Sequence, residues 1–198
     1  MQRPSKDLVE RTLAIDGRGE ACRRAVEKAW NIVGAKYPDA AWWRRKSTRR
    51  SLMWEHSVES AISALGDLPG VRVISHHDTA SFLFDDIVLL RFKKASLELR
   101  TSNYPTFLAQ LFHQHENDLF GHQGFHRVEL VHVFNRFETG LDWIGVVARE
   151  KRRVLWKLEL GSGGANVMEL RPQKPLSPAG DRVLRPVKPA EDESVDKD

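Results

Sequence analysis

Five positive charges and no acid fall within the nine residues Trp42-Trp43-Arg44-Arg45-Lys46-Ser47-Thr48-Arg49-Arg50. Guanidinium groups grip phosphate oxygens and indole rings stack on bases, so this composition suits nucleic-acid contact. Tryptophan and arginine also dominate protein–protein hot spots, so it suits an acidic partner surface as well. A solvated loop between two helices, with its tryptophans capping the core, is the plainest alternative. Nucleic acid ranks behind the other two, because no zinc-finger spacing or RNP signature accompanies the run. The linker is also longer than the turn of about 3–4 residues in a helix-turn-helix. Trp42, Trp43, Arg44, Arg45, Lys46, Arg49 and Arg50 are the residues this reading assigns to a partner or to nucleic acid.

The second binding candidate lies near the C-terminus. Asp181-Arg182-Val183-Leu184-Arg185-Pro186-Val187-Lys188-Pro189 sets aliphatic residues in a polar stretch. Short apolar anchors beside arginine are typical of segments that order on binding. Val183, Leu184, Arg185 and Val187 are therefore expected to touch a partner, against the alternative of a plain linker end.

Metal and catalytic sets are incomplete. His76-His77-Asp78 and His113-Gln114-His115-Glu116-Asn117-Asp118 resemble ligand clusters. A helical zinc site places histidines four apart, whereas His113 and His115 are two apart and point to different faces. A composite of His77, His113 and Asp118 is the arrangement left open, and the spacing argues against it; no metal or other cofactor is expected. A restriction-type nuclease needs a strand acid followed by Glu-x-Lys. Asp85-Asp86 is followed by Arg91-Phe92-Lys93-Lys94, Glu98-Leu99-Arg100 is a poor substitute, and Lys157-Leu158-Glu159 runs in reverse. Cys22 near a helix start has no identifiable base, and Gly161-Ser162-Gly163-Gly164 lacks the Lys-Ser/Thr of a phosphate loop. No catalytic residue is assigned, and an enzyme is the less favoured class.

The elements that must hold these residues follow from periodicity. Val26, Trp30, Val33 and Tyr37 share a helical face over Glu20–Tyr37, which Pro38 ends. A second helix over Thr48–Leu65 aligns Trp54, Val58, Ala61, Ile62 and Leu65, with Gly66 as a C-terminal glycine at positive φ. Val71–Ser75, Ser81–Phe84 and Ile87–Phe92 read as strands, the last two joined at Asp85-Asp86 or running as one bent strand. A further helix is expected from Asn103 to Leu119. Arg127–Phe134, Trp143–Ala148 and Val154–Leu160 form a meander, with Val128, Leu130, His132 and Phe134 on one side and Val131 and Val133 on the other. Val167–Leu170 adds an edge strand. The fold class is α+β: N-terminal helices packed on a mainly antiparallel sheet, with one further helix between two β-meanders. The expected domain is 1–170, with 1–18 a flexible lead, and 171–198 a Pro-rich, then acidic, mostly disordered tail.

With 41% hydrophobic and 29% charged residues, the 198-residue chain has material for one core. One cysteine precludes an internal disulfide and suits a reducing compartment, and no apolar run is long enough for a membrane span. A cytoplasmic protein with no membrane partner is expected. Net charge is +4, but five acids against one base in the last ten residues give −4, so the rest carries +8. A body so charged attracts polyanions, including its own acidic end.

Several strings carry a resemblance: Leu52-Met53-Trp54-Glu55-His56, Phe84-Asp85-Asp86-Ile87-Val88-Leu89-Leu90-Arg91-Phe92-Lys93-Lys94, Ser102-Asn103-Tyr104-Pro105-Thr106, and Phe134-Asn135-Arg136-Phe137-Glu138-Thr139-Gly140-Leu141-Asp142-Trp143-Ile144-Gly145. Together they resemble small uncharacterised bacterial proteins encoded beside regulators with an ImmA/IrrE-type zinc-peptidase domain. The resemblance covers roughly residues 45 to 190 and transfers no catalytic residue. Such operons behave as toxin–antitoxin or phage-defence modules. The resemblance implies an antitoxin-like protein-interaction module that neutralises or regulates a companion, the cognate operon protein, a toxin with a zinc-peptidase-like domain being one form. The alternatives are an autoregulatory DNA- or RNA-binding protein using the Trp/Arg loop, and a metal-dependent nuclease or other hydrolase. A homodimer stays open.

Overall fold

The computed structural model describes residues 3–76, 79–101, 112, 124–151 and 153–161. Its architecture is α+β, with N-terminal helices packed on a six-stranded mixed, mostly antiparallel sheet. Apart from Phe112, the further helix expected over Asn103–Leu119 lies outside the described residues, as do the edge strand Val167–Leu170 and the tail 171–198. Among those described, no helix is long and apolar enough to cross a membrane.

Helix α1 spans Lys6–Ala14, where the sequence pattern predicts a flexible lead. Ser5 caps it by accepting from the Leu8 N–H, and Val9 and Leu13 reach the core. The pattern missed α1 because two buried apolar residues in nine give little periodicity. Asp16 (φ 50°) and Gly17 (φ 66°) then turn the chain through left-handed backbone into α2, Arg18–Lys36. The stripe predicted on α2 holds for Val26, Trp30 and Val33 and is widened by small residues. Ala21, Cys22, Ala25, Val26, Ala29 and Val33 are buried, while Tyr37 lies beyond the helix end and is exposed. Small side chains let α2 lie close against α3, Lys46–Leu65. On α3 the buried row is Met53, Ser57, Val58, Ala61 and Leu65, and Ile62 faces out. Gly66 does not take positive φ. It continues the helical turn at φ −61°, donating to the Ile62 carbonyl at 2.8 Å, and the left-handed glycine of this connection is Gly70.

Strands β1 (Val71–His76), β2 (Thr79–Phe84), β3 (Val88–Ala95), β4 (His126–Phe134), β5 (Leu141–Glu150) and β6 (Arg153–Glu159) lie in chain order across the sheet. Asp85-Asp86 is a hairpin turn rather than the middle of a bent strand. Both aspartates take positive φ, and the Ile87 N–H closes the turn on the Phe84 carbonyl at 2.9 Å. Pairings are antiparallel except β3 with β4, which run parallel with Val88 opposite His126 and Phe92 opposite Leu130. Residues 96–125 make the crossover that a parallel pair requires.

Val128, Leu130, His132 and Phe134 share the helix side, as the alternation predicts. The other side is also covered: Val131 and Val133 pack with Ala95, Leu99 and Val147, and Leu83 and Leu89 pack with Phe112 and Phe125. All nine residues of β4 are buried, the condition of a central strand with material on both faces.

One ion pair fastens the helices to the β2–β3 hairpin. Arg18 is buried, donates to both Asp85 carboxylate oxygens, one at 3.0 Å, and reaches the Pro69 carbonyl at 2.7 Å. Replacing Asp85 by asparagine keeps a side chain that tolerates positive φ but leaves a buried guanidinium without its counter-charge. We predict that D85N lowers unfolding free energy by about 3 kcal/mol in urea titration, the low end of such losses because Asp85 is partly exposed.

Candidate functional site

The Trp/Arg run occupies the junction of α2 and α3. After α2 a short 3-10 turn, Pro38–Ala41, leads into Trp42 and Trp43. Trp43 is half-buried and meets Tyr37 edge-on, with ring centroids 5.7 Å apart. Trp42 does not cap the core: it is 86% exposed. Arg44, Arg45, Lys46 and Arg50 are exposed around it.

Arg49 separates from this set. It is buried, with its guanidinium 4.7 Å from the Trp30 ring centroid and 5.2 Å from that of Phe134. Nη1 donates to the Glu138 carbonyl at 2.8 Å, while burial lowers the Arg49 pKa against the opposing pull of Glu138. Arg49 is thus a brace between α2, α3 and the β4–β5 turn rather than a surface contact. The turn itself is shaped by Asn135, whose Oδ1 accepts from the Thr139 N–H at 2.8 Å, and by Glu138 at φ 54°.

The brace brings in two residues that the run of basic residues gave no reason to include. Arg136 and Phe137 project from the turn, Phe137 being 78% exposed, and the neighbouring Glu138 carboxylate sits 3.7 Å from Arg50. Only tertiary folding joins this turn to the α2–α3 junction. The resulting corner carries two exposed aromatic rings and five exposed bases: Arg44, Arg45, Lys46, Arg50 and Arg136.

A second charged group lies under the opposite sheet face. Glu129 is buried, accepts from Thr101 Oγ1 at 3.1 Å and faces Arg149 Nε at 2.9 Å. Arg127 and Arg149 are buried with it. Burial pushes Arg91 down to about 10, opposed by Glu129 and reinforced by Arg127, and burial also lowers Lys93. Arg91 donates to Ser81 at 3.0 Å and lies 4.4 Å over the Phe112 ring. The signal in the sequence was alternation: Arg91 and Lys93 on β3, Arg127 and Glu129 on β4, each two apart.

The remaining candidates are placed apart or outside. Asp85 is held by Arg18 and Asp86 by Arg72, so neither acid of the nuclease reading stands beside a Glu-x-Lys. Cys22 is fully buried and its thiol is pushed up to about 12, which removes it as a nucleophile. His126 is buried and its Nδ1 accepts from the Ser5 N–H at 3.2 Å. His77, His113, Asp118, the 162–164 loop and the anchors Val183, Leu184, Arg185 and Val187 lie outside the described residues. Among the described residues no group of three or more His, Cys, Asp or Glu could hold a metal ion.

Compared with known protein-family models, curated proteins and solved structures, the chain matches none.

Two predictions follow from the buried charges. Glu129→Gln removes the carboxylate that Arg149 faces, and should cost about 3–5 kcal/mol of unfolding free energy in urea. His132, buried against Phe134 and close to Lys94, is pushed down to about 4 by burial first and Lys94 second. Unfolded, it titrates near about 6.5. Its contribution is therefore flat above that pH, falls by about 1.4 kcal/mol per unit as pH drops toward 4, and levels off below. His132→Leu should flatten the stability profile between those limits.

Proposed function

We propose that this chain is a protein-interaction module that docks an acidic companion through the Trp42 corner, acting as the antitoxin-like partner in a bacterial defence operon. The carrying observation is Trp42, 86% exposed among exposed bases. A fully solvated indole contributes nothing to the fold, and tryptophan beside arginine is the composition of binding hot spots. The surrounding positive charge favours an acidic face and speeds encounter with it. The resemblance to bacterial proteins encoded beside ImmA/IrrE-type zinc-peptidase regulators supplies the companion's class, and would put the complex in the cytoplasm. Val183, Leu184, Arg185 and Val187 would supply a second, apolar contact.

A nucleic-acid reading draws on the same corner, because two exposed rings beside five bases also suit stacking and phosphate contact. The two readings differ in what survives purification. Tagged protein expressed with its genomic neighbours is expected to retain one stoichiometric protein, identified by mass spectrometry. The triple variant W42A/R44E/R45E should weaken that complex by about 100-fold, with the fold intact by circular dichroism. An unchanged complex would remove the corner from the interface. Retention of nucleic acid instead, with affinity falling steeply as salt rises, would select the second reading.

A further inference from the structure

The two edges of the sheet finish differently. Strand β6 carries features that discourage a further strand: two bases, Arg153 and Lys157, and a register shift where it meets β5. Strand β1 is plainer. Its six residues pair with β2 without a shift, it holds no proline, and its one base, Arg72, is turned to Asp86 in the β2–β3 turn. Val73 and Ile74 are half-buried and Ser75 is exposed.

Register decides which backbone groups of β1 are already used. The Asp85 N–H donates to the Gly70 carbonyl at 2.7 Å, which sets the alternation: Arg72, Ile74 and His76 exchange hydrogen bonds with β2. The N–H and C=O of Val73 and Ser75 point the other way. Among the described residues β1 is the terminal strand on that side, so these groups form an open edge. The Val71 N–H is already given to the Leu68 carbonyl at 3.2 Å. The edge thus offers two donors and two acceptors, on residues two apart, with Ile74 between them.

That pattern is its own complement. Laid antiparallel on a second β1 about a two-fold axis at Ile74, Val73 falls opposite Ser75 of the second copy, and Ser75 opposite its Val73. All four groups on each strand are then bonded. Ile74 meets its own copy in a non-hydrogen-bonded pair, where side chains come closest. Ile74 packs with Leu83 and Leu89 on the sheet face away from the helices, so the pairing carries that apolar layer across the axis. Centring the axis on Val73 instead would set Ser75 opposite Val71, whose N–H is taken.

We propose that the chain self-associates through β1 as a two-fold dimer, with one sheet running through both copies. This contact is separate from the Trp42 corner.

The test uses the full chain. Light scattering should give twice the 22.7 kDa of one chain. Ser75→Pro removes an N–H that β2 does not use, so the β1–β2 hairpin keeps its own bonds while the dimer loses one from each copy. Self-association should weaken on the order of ten-fold, with the circular dichroism spectrum unchanged. Crosslinking under mild oxidation reads the register. Ile74→Cys sets two thiols across the axis within disulfide reach and should give a covalent dimer, whereas Val73→Cys faces Ser75 of the second copy and should not. Cys22 is fully buried and does not compete. W42A/R44E/R45E should leave the dimer intact. A native chain that stays monomeric up to its solubility limit, a Ser75→Pro dimer of native affinity, equal crosslinking by the two cysteine variants, or loss of the dimer in W42A/R44E/R45E overturns the proposal. Should the proline variant fail to fold, the cysteine pair decides.

Discussion

Pairing β3 with β4 in parallel obliges the chain to return from one end of the sheet to the other before β4 can start. The return is residues 96–125, and of its described residues Leu99, Phe112 and Phe125 lie buried against the sheet face away from the helices. With helices on one side and this connection on the other, β4 loses contact with solvent along its whole length. That explains why the charged residues placed in alternation are buried on β4 and partly buried on β3. A strand buried on both faces ordinarily reads as a continuous apolar run. Here Arg91, Lys93, Arg127 and Glu129 interrupt that run, and their interactions with one another, with Arg149, Ser81 and Thr101, offset part of the desolvation cost.

On the helix side a single side chain does comparable work by another route. Arg49 lays its planar guanidinium against both Trp30 and Phe134, whose rings also touch each other, and directs a donor at the Glu138 carbonyl. Lysine has no plane to stack and no fork of donors, so the position is specific for arginine. The contact connects helix α2 through Trp30, α3 through Arg49 itself, and the sheet through Phe134. Its functional consequence is indirect. By fixing the β4–β5 turn against the start of α3, Arg49 holds Phe137 and Arg136 beside the basic run. The most buried arginine of the run is therefore the one that assembles the surface formed by the others.

The two charged groups have opposite characters. The sheet group is enclosed, its members engaged with one another and with residues of the 96–125 connection, which suits holding the connection to the sheet. The corner is exposed and aromatic, which suits docking. Cationic side chains are common to both, so charge alone does not separate structural from functional roles; exposure of the neighbouring rings does. Phe112 is buried against Arg91, whereas Trp42 and Phe137 project into solvent.

Local physics fixed much of this architecture in advance. The helical spacing over α2 and α3, the alternation along β4 and the Trp/Arg run between the helices are all set by neighbours within a few residues, and the sequence displays them, while at Asp85-Asp86 it left a turn and a bent strand both open. Other features are invisible at that range. The α1 helix depends on two apolar residues meeting a core built elsewhere, the α2 stripe on alanines whose smallness matters only against α3, and the φ of Gly66 on how the chain leaves α3 for Gly70. Arg49 and Arg50 are adjacent and chemically identical, yet one is buried against two rings and the other is exposed. A helix turns about 100° per residue, so neighbours face different surroundings, and which of them meets Trp30 and Phe134 is decided only when α2, α3 and β4 are packed together.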